Sequence, residues 1–320
     1  MLNVIAQAQG QYMPSLFLDF SKGVMPSGLT FTRASIGSRW NASGQMETIA
    51  SGVPRIDYDP VTLACRGLLI ELSSTNILLN SDTLSTQSVT VTATARTLSF
   101  YGTGTVDLSG AATGTLTGTG ANQRVSLTFT PASGTLTLTV TGSVRYANLE
   151  TGNYATSWVP TTSTSVARAA ELCTLSTSSG GWYNASEGSI FLDCIPGTAQ
   201  TNRSVYSFNA GSAANRMALQ VTGGVVVLSV SSAGQSVPAA QAATLNVSNR
   251  YGFSYLAGAT ALVKNGGTVA TAASAAIPSV TQLQLGGADG STGSNLGGWI
   301  TTFRYYPRKL TNTYLKAITL

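Results

Sequence analysis

The chain of 320 residues carries 17 Lys and Arg, 12 Asp and Glu and no His, for a formal net charge of +5. Charged residues make up 9% against the about 25% usual in soluble domains, yet a hydrophobic share of 43% is enough for a core, which argues against a disordered chain. The missing histidines exclude Ser-His-Asp and Cys-His catalysis and His-ligated zinc or haem.

In chain order, Met1 to Gln11 lacks the basic and apolar stretches of a secretion leader. Cys65, Cys173 and Cys194 have no CxxC spacing and read as free thiols of a chain made in a reducing cytoplasm, with a Cys173–Cys194 bridge as the alternative. Residues 1–85 read as an irregular N-terminal β segment, with extended pieces at Leu16–Phe20, Leu29–Arg33 and Gly67–Leu72 between Pro- and Gly-rich turns. Such a segment gains order by docking, so it is the expected site of attachment or oligomerisation, with Phe31, Arg33, Arg55, Tyr58 and Arg66 as candidate contacts.

Residues 86–160 read as a small β-sandwich. Val125, Leu127 and Phe129, and after a turn Leu136, Leu138 and Val140, alternate with Ser and Thr. Period-2 alternation places the apolar set on one face, and Thr, being β-branched, covers the other without charge. The glycine-rich run from Gly110 to Gly120 reads as one short strand between turns. A Thr/Ser-rich linker over residues 161–169 leads into residues 170–320. There the strand candidates Ser189–Ile195, Val205–Phe208, Met217–Val221, Val225–Val230, Tyr251–Leu256, Ala261–Val263, Thr281–Leu285 and Trp299–Tyr306 predict a two-sheet sandwich or jelly roll. Lys264-Asn265-Gly266-Gly267 predicts a hairpin turn, and Thr311–Ile318 a short C-terminal helix. No apolar run reaches the about 18 residues of a membrane-spanning helix, and the basic residues are too scattered for a nucleic-acid surface. The fold class expected is all-β: β-sandwich and jelly-roll modules, an irregular N-terminal β segment and one short helix.

Five separated pieces resemble the N-terminal module of bacteriophage virion proteins of the head-spike and tail-fibre type. They are Leu18-Asp19-Phe20, Leu29-Thr30-Phe31-Thr32-Arg33-Ala34-Ser35, Val53-Pro54-Arg55-Ile56-Asp57-Tyr58-Asp59-Pro60, Arg66-Gly67-Leu68-Leu69-Ile70-Glu71 and Ser74-Thr75-Asn76-Ile77-Leu78-Leu79. Val144 to Glu150 with Ala155 to Pro160 is similar to the end of the carbohydrate-binding-module-like sandwich that often follows, and Gly298 to Leu310 to the closing strand and helix of a concanavalin-like or laminin-G-like jelly roll. The resemblance implies a structural or adhesive protein on the virion surface, assembled in the bacterial cytoplasm as a homotrimer beside other virion proteins. A tail-fibre protein that recognises a host surface glycan is the alternative, and a glycan-cleaving fibre a more distant one.

Candidate chemistry is sparse, and no enzyme activity, cofactor or metal is expected. Asp57 and Asp59 flank Tyr58 and project from one face of an extended chain, as a glycosidase pair would, or else cap turns before Pro60. The glycine-rich loop from Gly286 to Asn295 supplies a single carboxylate, Asp289, too few for calcium, but with Asn295 it can hydrogen-bond a glycan. Trp182, Tyr183 and Asn184 lie in a turn and, like Trp40, are candidates to stack on a sugar, with core packing as the competing use of each ring. Trp299, Phe303 and Tyr305 share a strand face and are expected in the core. Asn-x-Ser triplets at Asn41, Asn184, Asn202 and Asn246 match chance in a Ser-rich chain. With no histidine to titrate, the melting temperature is expected to stay nearly flat from about pH 5 to 9, and a sharp unfolding transition near pH 6 would contradict this reading.

Overall fold

The alternation of apolar and Thr residues becomes strands throughout a computed structural model that describes residues 12–197, 203–212, 214–222, 225–232, 241–242, 244–273, 276–290 and 292–320. The N-terminal reading of residues 1–11, the triplet at Asn202 and Ser291 of the glycine-rich loop fall outside the described residues. The fold is all-β, with one helix among the described residues, Asn312–Ala317. No helix among them is long and apolar enough to cross a membrane.

The chain forms two compact units, and both are discontinuous in sequence. Unit one takes the described residues up to Thr32, then Arg66–Leu72 and Glu171–Leu320; unit two takes Arg33–Cys65 and Ser73–Ala170. The N-terminal block expected over residues 1–85 is therefore divided between them. Its short strands are used to complete sheets: Leu16–Asp19 pairs with Thr302–Tyr305, Thr30–Thr32 with Leu172–Thr174, and Leu68–Ile70 with Gly298–Ile300. Sheet edges need such partners, which is why isolated pieces too small for a core of their own are ordered here.

Unit one is a two-sheet sandwich. One sheet runs Ala270–Ala272, Ala259–Lys264, Asn249–Leu256, Glu187–Pro196, Gly298–Tyr306 and Cys65–Ile70, with Leu16–Asp19 also on Gly298–Tyr306. The other runs Thr30–Thr32, Leu172–Ser176, Gln282–Leu285, Arg203–Asn209, Asn215–Thr222, Val225–Ser232 and Gln241–Ala242. Aromatic rings join the two inner faces, with Tyr206 5.6 Å from Phe303 and Phe208 5.9 Å from Tyr305. Trp299 lies instead under the Arg66 guanidinium, 4.9 Å from its ring centre. The expected turn forms at Asn265 and Gly266, both left-handed at φ 47° and 65°, although the returning strand begins only at Ala270. The helix starts at Thr311, whose hydroxyl accepts from the Tyr314 amide, and buries Leu315 against Phe191, Val263 and Leu310. All three cysteines are free, and burial pushes the Cys173 thiol up to about 12 and raises that of Cys194 as well.

Unit two packs the sheet Gly114–Thr117, Thr105–Gly110, Gly134–Thr141, Gln87–Val91 against the sheet Gly120–Phe129, Arg96–Gly102, Val144–Thr151. Leu98, Phe100, Val106, Leu108, Leu136, Leu138 and Leu149 fill the core between them, each worth about 1.5–3 kcal/mol of apolar burial. The opposite face of the first sheet is a ladder of hydroxyls. Ser88 and Thr137 lie 2.9 Å apart, Thr105 and Thr117 3.3 Å, and Thr115 donates to Asp107 at 2.6 Å. The stretch expected as a linker begins inside this unit, since the Thr161 amide and the Trp158 indole both donate to the Ser81 hydroxyl at 3.0 Å.

Where the chain leaves unit one at Leu72 and returns at Glu171, a buried clamp holds the two ends. The Asn295 side chain donates to the carbonyls of Glu71 and Glu171 at 2.8 and 2.7 Å, and the Glu71 amide donates to a Glu171 carboxylate oxygen at 2.8 Å. Substituting Asn295→Ala orphans two buried carbonyls at about 1–3 kcal/mol each, so the unit-one transition is expected to fall by at least about 2 kcal/mol in urea melts, and by as much for Asn295→Asp, which keeps the volume but loses the donor.

Candidate binding cleft

A short hairpin in unit two, Gly37–Trp40 with Met46–Ile49, builds the first wall of a cleft. Asn41 closes its turn by accepting the amides of Ser43 and Gln45 on its side-chain oxygen, both at 3.0 Å. The register places Arg39 opposite Glu47, and the guanidinium Nε reaches the carboxylate at 2.7 Å. Arg39 also donates to the Ile56 carbonyl at 3.0 Å, so Glu47 is held from behind. The Trp40 amide donates to Asp57 Oδ1 at 2.7 Å, and its indole to the Tyr101 hydroxyl at 3.2 Å.

The facing wall comes from an irregularity in the strand Val144–Thr151. Its pairing with Arg96–Gly102 shifts between Arg145 and Asn148, and Tyr146 there has φ 51°. A bulge frees a residue from the ladder and re-aims its side chain. The Tyr146 amide donates to the Asp82 carbonyl at 3.1 Å and its ring stands 4.9 Å from Trp158 and 5.9 Å from Trp40. Arg145 lies across the Tyr146 ring at 4.6 Å and pairs with Asp82 at 3.3 Å. Guanidinium and phenol stack as the two layers of one plate.

Between the walls lies a cleft of about 510 Å³, lined by Glu47, Arg145, Tyr146, Trp40, Asn122 and Gln45 among others, with Gly44 and Gly102 on its floor. Its size falls in the range of small-molecule sites, about 300–1,000 Å³. Asn122 donates to the Pro60 carbonyl at 3.0 Å, tying the cleft to the loop that follows Asp59. In that loop Val61 and Leu63 are 59% and 46% exposed, Leu63 has φ 60°, and its side chain crowds Gly44. Six non-glycine residues among those described have positive φ; four are Asn or Asp, and the other two are Leu63 and Tyr146. Tyr146 lines the cleft and Leu63 stands behind its lining residue Gly44, and strain of about 1–3 kcal/mol per residue persists only where surrounding structure enforces it.

The residues singled out from sequence lie as follows. Trp182 is buried, with its ring among Tyr183, Phe208 and Tyr305 and its indole on the Ser176 carbonyl. Asn184 donates to the Pro307 carbonyl and accepts from the Ser186 amide. Asp289 takes both carboxylate contacts from Arg216 Nη1, at 2.8 and 2.7 Å, and Asn295 is the buried clamp of unit one. These side chains are engaged inside unit one and do not converge on a cleft. Phe31 and Arg66 are half-buried in unit one, and so is Tyr58 in unit two, where burial first and Cys65 second raise its phenol above the ordinary range. Arg33 and Arg55 face inward at 2% and 0% exposure, so as placed they offer no outer surface. Arg33 donates to the carbonyls of Ser35, Ile49, Ala50 and Val53, and Arg55 to that of Ser38. Gly37 permits this, since a Cβ there would stand 3.0 to 3.1 Å from both guanidinium side chains. Asp57 holds the Trp40 amide, whereas Asp59 Oδ1 caps the amides of Val61 and Thr62.

Of the cleft residues, the sequence reading singled out Trp40 alone. Glu47 and Asn122 went unnoticed, and Arg145 and Tyr146 entered only as part of the resemblance over Val144 to Glu150. In the folded strand the buried positions are Val144 and then Ala147 to Glu150, so the alternation breaks at Tyr146, whose own apolar ring keeps the period of two in the sequence and hides the bulge.

No protein-family model matches the sequence, and no curated protein matches it. Solved structures similar to part of the chain include the Ruminococcus gnavus IT-sialidase CBM40 bound to alpha2,3 sialyllactose, at 21% identity over 42% of this chain and 83% of that one, TM-score 0.38. Others are the leech intramolecular trans-sialidase, at 18% over 42% of this chain and 23% of that one, TM-score 0.38, and the NanB sialidase from Streptococcus pneumoniae, at 12% over 46% and 26%, TM-score 0.38. The chain thus spans about a quarter of those two sialidases. These are likenesses of β fold; the chemistry of the cleft rests on its own residues.

Asp59→Ala removes the cap on two loop amides and is expected to cost about 1 kcal/mol in unfolding experiments and to speed proteolysis between Val61 and Ala64, with the rest of unit two intact.

Proposed function

We propose that this protein is a non-catalytic adhesive component of a bacteriophage particle surface that grips a host surface glycan in the unit-two cleft. The observation that carries adhesion is a cleft of ligand size into whose lining the left-handed Tyr146 is set beside Arg145. A sugar presents an apolar CH face and a rim of hydroxyls. The Tyr146–Arg145 plate and the edge of Trp40 suit the first, and Glu47, Asn122 and Gln45 suit the second. Hydrolysis by the usual route needs two carboxyl groups about 5–10 Å apart across the sugar. The cleft lining contributes one, Glu47, which supports binding without turnover. Display on a virion, as a homotrimer beside other virion proteins, is motivated by the sequence resemblance of the N-terminal pieces.

The test is retention of the purified protein on bacterial cells and on their isolated surface polysaccharide. Tyr146→Gly keeps the left-handed backbone but deletes the ring, and is expected to weaken retention about five- to tenfold while the thermal transition stays in place. Unchanged retention in that variant would sink the assignment of the cleft, and release of shortened sugar chains would sink the non-catalytic reading.

A further inference from the structure

The charges and hydrogen-bonding groups of the cleft specify a ligand class within the glycan-binding reading, on which this inference rests. The charged lining residues are Glu47 and Arg145. Each already has a partner of opposite sign, Arg39 for Glu47 at 2.7 Å and Asp82 for Arg145 at 3.3 Å. The four charges sum to zero. A sialic or uronic acid would meet an Arg145 whose charge Asp82 already offsets, while Glu47 repelled it from the same cleft.

Two acceptors of the lining stand open. Glu47 Oε1 takes the Arg39 bond, but Oε2 receives only a long 3.5 Å contact from the Asn41 amide. Asn122 donates its amide to the Pro60 carbonyl, which orients its own side-chain oxygen as a free acceptor. On the donor side, Arg145 gives Nη2 to Asp82 and keeps the rest of its fork. Acceptors arranged around a plate match a ligand rich in O–H donors and poor in charge. We propose that the cleft takes an uncharged pyranoside, a hexose, 6-deoxyhexose or N-acetylhexosamine, held by its hydroxyl hydrogens on Glu47 Oε2 and Asn122 Oδ1 with its CH face on the Tyr146–Arg145 plate.

An array of neutral oligosaccharides of these three kinds, printed beside 3′-sialyllactose and oligogalacturonate, tests this with the full chain. Neutral sugars are expected to retain the protein, with signal changing less than about twofold between about 50 and 500 mM salt, because no net charge is neutralised. Glu47→Gln, which keeps the shape but removes the anionic acceptor, is expected to lose about tenfold in affinity, and Arg39→Gln, which breaks the same ion pair but leaves the carboxylate, to lose less than about twofold. Preference for the acidic sugars with retention falling as salt rises overturns the inference while leaving the cleft a glycan site. Equal losses in Glu47→Gln and Arg39→Gln overturn it too, since the carboxylate would then act only through the hairpin. Retention of neither sugar class overturns the inference together with the adhesive reading.

Discussion

In unit two the Asn76 side chain donates to the carbonyls of Ala147 and Val159 at 2.8 and 2.9 Å and accepts the Leu149 amide at 3.0 Å. That single amide stitches three stretches of chain. The same device recurs wherever the backbone departs from regular pairing. Asn148 accepts from the Val159 amide and donates to the Ser157 carbonyl, Arg33 reaches four carbonyls, and Asn295 closes the clamp of unit one. A buried carbonyl without a donor costs about 1–3 kcal/mol. With only 9% charged residues, the chain meets that demand with fixed neutral amides and inward-facing guanidiniums, and surface ion pairs contribute little.

The cleft is a consequence of this stitching. Tyr146 holds a conformation that costs free energy, so its neighbours must over-determine it. The Ser81–Asp82 stretch does so from one side, taking the amides of Ala147 and Tyr146 on its carbonyls, while the Ser81 hydroxyl receives the Trp158 indole. Trp158 in turn packs on the Tyr146 ring. On the other wall, Asp57 holds the Trp40 backbone, and Asp59 shapes the loop that carries Leu63. Two carboxylates that invite a catalytic reading in sequence are thus backbone acceptors that build cleft walls.

Strand positions were legible to within a residue or two because their cause is local. Leu136 and Leu138 alternate with Thr, and the structure buries the first set and exposes most of the second. The Asn265-Gly266 turn and the Thr311 cap are equally local, since backbone preference and a side-chain acceptor act within three residues. Partners were not legible. Leu16–Asp19 and Thr302–Tyr305 pair across nearly the whole chain, and nothing in either tetrapeptide names the other. Trp182 and Trp40 illustrate the same limit for function. Both lie in loop-like sequence and both are buried, yet the first meets Phe208 and Tyr305 while the second keeps an edge on a cleft.

The sequence by itself determined an all-β protein with neutral Thr-covered surfaces and almost no group that titrates near neutral pH, since composition and period-2 patterning act on each residue independently of its distant neighbours. Only the tertiary structure decided how the N-terminal block divides between two units, which arginines turn inward, and that Glu47, Asn122, Arg145 and Tyr146 meet around one cleft. Those outcomes depend on pairings between residues far apart in sequence, some across nearly the whole chain, selected by which buried carbonyls found donors and which strand edges found partners.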